Sequence, residues 1–202
     1  AYPAHKRKRK MKQFAIANLF LTIFLGVKAI AGNEMGNGAD NFSGDFGAAW
    51  FIGEKRTVSY CIETAPNFGR PNNQIRDDIQ ASWKTWLDYV EAKGVYSSTS
   101  LNTMKFPKHL QETSCNGVED IHFFFGTVNS EVAQEMDHYI RPSAISHKKS
   151  FDLDSGWGKG WIWFTLPGLV DPAHAFPTWS DNSTFRSILL HEIGHVFGNV
   201  HL

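Results

Sequence analysis

The stretch HEIGHVFGNVHL, residues 191 to 202, concentrates metal-ligand and base chemistry in twelve positions. On a helix, residues four apart share one face, about 6 Å apart at Cβ. His191 and His195 can therefore offer two imidazoles to one ion. Glu192, beside the first ligand, can reach a water in an open coordination position. Gly198 tolerates the left-handed backbone that ends a helix, so the chain can turn back and present His201 as a third ligand. Three protein ligands plus water is the catalytic zinc arrangement; four protein ligands is the structural one. Zinc brings the pKa of such a water to about 7, and a carboxylate can take its proton. The chain holds 9 His and 17 Gly among its 202 residues. A chance occurrence of the whole pattern is then on the order of 10⁻⁴, which sets it apart from a bare H-E-x-x-H.

His191-Glu192-x-x-His195-x-x-Gly198-x-x-His201 resembles the extended zinc signature of the metzincin metallopeptidases at every fixed position. The resemblance reaches back to about Arg56. "AHAFP" (Ala173 to Pro177) and "ILLHEIGHVFG" look most like the matrixin branch. "FSGD" (Phe42 to Asp45) resembles the aspartate switch of astacin propeptides, which would give Asp45 a role in latency. The resemblance implies a zincin-like α+β fold, with a twisted mixed β-sheet packed on two long helices, the second carrying the zinc ligands. It implies one catalytic Zn2+ held by His191, His195 and His201, with Glu192 as general base. The function it implies is that of a secreted endopeptidase that hydrolyses peptide bonds through a zinc-bound water. In that clan a sheet-edge strand above the cleft pairs with extended substrate, and Gly160 to Phe164 is the candidate here. Metzincins continue past the third histidine into a lower subdomain with a methionine-containing turn. Residues 56–202 would then correspond to the N-terminal subdomain alone. The alternative is a non-catalytic, secreted zinc-binding fragment or degenerate relative. His174 in "AHAFP" resembles a structural-zinc histidine of matrixins, but no matching partner set accompanies it.

The elements that must position these residues can be read from periodicity. "RTVSYCIE" (Arg56 to Glu63) alternates and is rich in β-formers, which predicts a strand. Ile75, Ile79, Trp83, Trp86, Leu87 and Val90 have helical spacing, with Asn73 as N-cap and Gly94 as stop. A short strand is expected near Thr103 to Phe106. "VEDIHFFFGTV" (Val118 to Val128) predicts a strand buried on both faces. "SEVAQEMDHYI" suggests one or two helical turns, and "SHKKSFDLDSGWGKG" a polar loop. "GWIWFTL" (Gly160 to Leu166) predicts a strand. "STFRSILLHEIGHVFG" predicts the zinc helix, capped by Asn182 or Ser183 and ended by Gly198. Asp152 to Gly160 offers oxygens and glycines towards calcium, without the acidic count or terminal Glu of an EF-hand loop.

Lys and Arg number 20, Asp and Glu also 20. That balance gives no field of one sign to attract nucleic acid. The one basic block, Lys6 to Lys12, precedes an apolar run from Phe14 to Val27 and a small-x-small site at Ala29-Ile30-Ala31. This is the n-h-c pattern of a secretory signal peptide over residues 1–31, with residues 1–10 read as upstream of a natural start at Met11 or as added residues. Residues 32–55 read as a flexible mature N-terminus. The expected location is secreted or periplasmic, with no stable membrane anchor after cleavage and a protein or peptide as substrate. In an oxidising compartment the two cysteines, Cys61 and Cys115, are expected to bond.

Overall fold

A computed structural model describes residues 49–52, 56–93, 106–136, 143–167 and 179–198, all within one compact unit, Ala31–Leu202. The signal segment, Asp45, Gly94, His174 and His201 lie outside the described residues, as does most of the strand expected at Thr103 to Phe106. Among the described residues, five strands and three helices follow in the order β1 (Val58–Thr64), α1 (Asn72–Lys93), β2 (Leu110–Glu112), β3 (Ile121–Phe125), α2 (Ser130–Met136), β4 (Ala144–Asp152), β5 (Trp157–Phe164) and α3 (Asn182–Val196). The strands form one mixed sheet in the order β2-β1-β3-β5-β4. Pairing is parallel throughout except between β4 and β5. This is the mixed α and β architecture expected at the coarse level.

Alternation along the strands sends odd and even positions to opposite faces. On one face Val58, Tyr60, Ile121, Phe123, Phe125, Ile162 and Phe164 join Ile75, Ile79, Trp83 and Trp86 of α1 and Phe185, Ile188, Leu189, Ile193 and Val196 of α3 in the main core. The apolar stripe read from the sequence of α1 is thus its buried face. The other face carries a smaller cluster of Phe124, Val132, Ile145, Trp161 and Trp163, with α2 supplying Val132. Central β3 is buried on both sides, as its apolar run predicts. The Cys61–Cys115 disulfide is present, with its Cα atoms 5.2 Å apart, and ties β1 to the loop before β3.

Three expectations need correction. The segment read as a polar loop is the β4–β5 hairpin, with its turn at 153–156. Its charges mark an edge strand, where Lys and Asp discourage further pairing. For the same reason the candidate edge strand, Gly160 to Phe164, is interior: β5 pairs β3 on one side and β4 on the other. The edge is β4. Its residues Ala144 to Ser146 are buried, whereas Lys149, Ser150 and Asp152 are exposed. The helix-start residues also shift. Asn73 lies inside α1, where Ile75 N–H donates to Pro71 O at 3.1 Å. Asp181, rather than Asn182 or Ser183, caps α3. No helix among the described residues is long and apolar enough to cross a membrane.

Candidate metal centre

Helix α3 is fixed at both ends. At its start the Asp181 carboxylate accepts from Ser183 N at 3.0 Å and from Thr184 Oγ1 at 2.6 Å. Those bonds, Thr184 first, hold its pKa below the usual carboxylate value. Beside the cap, Asp78 of α1 accepts from Arg186 Nε at 2.6 Å and from Arg70 Nε at 3.1 Å. Arg70 Nη1 also donates to Asn182 Oδ1 at 2.7 Å and to Trp179 O at 3.3 Å. Asp78 and Arg70 are buried, so removing either partner would strand a charge away from water. At the far end Phe197 N and Gly198 N bond back to Gly194 O and His195 O, at 3.1 and 3.0 Å. Gly198 has φ +88, as the helix stop requires. Trp50 N–H donates to Val196 O at 2.9 Å, so the segment at 49–52 closes that end.

Between these anchors α3 crosses α1 closely. A Cβ on Gly194 would meet Trp86 Cζ2 at 2.6 Å. The Trp86 indole donates to Leu190 O at 2.7 Å, one residue before His191. The glycine between His191 and His195 is therefore a packing residue that lets α1 support the turns that carry those histidines. Sequence spacing did not reveal this, because a glycine within a helix signals only its own low propensity.

The two histidine rings lie 4.9 Å apart between centroids, with planes at 90°. Both residues are half-buried, and Nε2 of His191 is itself buried. Residues four apart on one helix face could offer two imidazoles to one divalent ion. Glu192 is 3% exposed and sits beneath β4. Its Oε2 lies 2.6 Å from Ser146 Oγ, and its backbone O lies 3.0 Å from the same hydroxyl. Burial pushes the carboxyl up to about 7, against the lowering effect of the Ser146 hydrogen bond. A hydroxyl has one hydrogen and can donate to only one of those oxygens at a time. A cation at the histidines would favour the ionised carboxylate.

Elsewhere, Cys61, Cys115 and His122 bring ligand atoms within 4.8 Å of one another, the one such group among the described residues. Its sulfurs are bonded to each other, which withdraws them as thiolate ligands. The Asp152 to Gly160 segment, considered for calcium, contains the hairpin turn. Asp152 accepts from Asp154 N at 2.9 Å and from Ser155 Oγ at 2.8 Å, and so braces that turn. No protein-family model, curated protein or solved structure matches this chain.

Proposed function

We propose that this chain is a secreted zinc-dependent endopeptidase domain of metzincin type. The observation that carries the reading is the pairing of His191 with His195 on one helix face, with the carboxyl of the adjacent residue Glu192 held under the sheet edge by Ser146. Together with His201, these residues form the ligand and base set. When bound there, zinc would supply the Lewis acidity that activates water and polarises a peptide carbonyl. Glu192 takes the proton from the attacking water and returns it to the departing amine. Its buried setting raises its basicity towards the range useful at neutral pH. With β5 interior, β4 takes over as the strand to which extended substrate would add by main-chain hydrogen bonds. The disulfide agrees with an oxidising, exported location.

The second reading is a non-catalytic zinc-binding domain. Two observations favour it: Glu192 is almost fully enclosed, and the stretch of β4 nearest it is covered. Turnover of a peptide library by zinc-loaded protein separates the two. The peptidase reading expects chelator-sensitive cleavage, and a Glu192→Ala variant that keeps its zinc but loses about 10²–10⁴-fold in rate. Zinc-loaded wild-type chain that cleaves no peptide moves the assignment to the second reading. A chain that binds no zinc removes both.

A further inference from the structure

We infer that Ser146, on edge strand β4, is the positioning residue for Glu192; this rests on the peptidase reading above. The inference starts from one side chain making two contacts. Ser146 Oγ meets the Glu192 carboxyl at 2.6 Å and the Glu192 carbonyl oxygen at 3.0 Å. Both residues are buried, at 4% and 3% exposure. A glutamate side chain has several rotamers available; the contact at the carbonyl fixes the hydroxyl against α3, and the contact at Oε2 selects one rotamer of the carboxyl. The main chain of Ser146 carries the second half of the argument. Thr165 N donates to Ser143 O at 2.9 Å, and Ser143 is followed by paired residues Ala144↔Phe164, Ile145↔Trp163 and Ser146↔Ile162. Hydrogen-bonding direction alternates along an antiparallel pair. Ile145 and His147 therefore bond inward to β5, and the N–H and C=O of Ser146 point to the outer edge. One residue thus turns its main chain to the outer edge of β4 and its hydroxyl to the base. The zinc motif gives no hint of this residue, since Ser146 is 46 positions away from Glu192.

The test compares wild type with Ser146→Ala, Ser146→Thr and Ser146→Val, each assayed for zinc content, kcat and KM on a cleaved peptide. Threonine and valine match in shape and differ in the hydroxyl, so the pair isolates the hydrogen bond from packing if alanine fails to fold. All variants should carry wild-type zinc. Ser146→Val and Ser146→Ala should lose about 10–100-fold in kcat, the scale of lost outer-shell support, and Ser146→Thr should recover most of it. Wild-type kcat in the valine variant, or equal losses in threonine and valine, overturns the proposal. A second readout needs no turnover. In urea unfolding of the metal-free chain, Ser146→Val and Glu192→Ala should be non-additive by at least about threefold in the folding equilibrium, and strict additivity overturns the contact. A wild-type chain that holds zinc and cleaves nothing defeats the peptidase reading and with it the catalytic role of Ser146. The same unfolding cycle still decides whether the contact exists.

Discussion

The two faces of the sheet are built to different standards. The face towards α1 and α3 is sealed by interlocking aromatic rings: Phe68, Phe125, Phe164, Trp179 and Phe185 all lie within 6.2 Å of a neighbouring ring centroid. Among the described residues, the opposite face has an apolar cluster of five and one short helix that contributes to it. Around that cluster sit polar and charged groups. His147 stacks on Trp161 at 5.1 Å, His122 donates towards Glu119 at 2.8 Å, and Lys149 pairs with Glu131 at 2.8 Å. The disulfide belongs to this thinner face, because Cys61 alternates with Tyr60 and Ile62. The candidate centre belongs to the thick face. A site that must hold its geometry needs side chains locked by packing behind it, and among the described residues the helix face supplies the denser packing. The thin face is held by a covalent link and ion pairs where apolar area is short.

This contrast predicts unequal costs for equal chemistry. Ile162 and Ile145 are both buried, one on each face. Ile162→Ala should cost about 5 kcal/mol, the upper end for such truncations, because rigid rings around it cannot collapse into the cavity. Ile145→Ala should cost about 2 kcal/mol, the lower end, because α2 can settle into the space. Urea denaturation of the two variants checks this, and equal costs would erase the distinction between the faces. The disulfide gives the next test. Its sequence separation is 54, and the chain-entropy model assigns such a loop about 4 kcal/mol. The double variant Cys61→Ala, Cys115→Ala should lose about 2–4 kcal/mol, and should do so without lowering zinc content. Loss of zinc along with the disulfide would show that the thin face supports the site after all.

What the sequence made legible follows the same division. Local signals were sufficient for α1, β1, β3 and the course of α3, since each buries a stripe or run with a clear period. Gly198 as helix stop was also readable, because its requirement for positive φ is a property of one residue. The β4 strand was not. In its residues SHKKSFD a bulge between Lys148 and Ser150 breaks the alternation, and a serine and a lysine occupy the buried positions. No hydropathy pattern marks such a strand; it exists because β5 offers it a partner. The mistaken choice of edge strand had the same origin, since strand order is set by pairing between distant segments. For the site, the pair His191 and His195 with Glu192 came directly from spacing. Its supports, Ser146, Trp86, Gly194 and the Arg70–Asp78–Arg186 cluster, are contributed by other elements and carry no motif.

Adjacent lysines on β4 provide the finest comparison of the faces. Lys148 points to the helix side, where Nζ donates to Ala49 O at 3.3 Å and lies 5.2 Å from the Phe151 ring centroid. Burial pushes its pKa down to about 8 from 10.5. Lys149 points to the thin face and reaches Glu131 with its side chain about half exposed. A folded-state pKa below the unfolded one means that the native chain resists protonation. The penalty from Lys148 is therefore fully present below about pH 8 and fades as pH rises towards 10.5. Lys148→Met removes the charge while keeping most of the stem. It should be more stable than wild type at pH 7, and the difference should shrink steadily between pH 8 and 10.5. Lys149→Met should shift stability by no more than about 1 kcal/mol, the scale of an exposed ion pair, with no such trend over that interval. Unfolding midpoints of the three proteins at matched pH values measure both effects, and taking differences between variants cancels the titration of all other groups. A Lys148→Met advantage that stays constant from pH 7 to 10.5 would mean that the ammonium is not disfavoured where it lies, and that the helix face tolerates charge at its margin as readily as the thin face does.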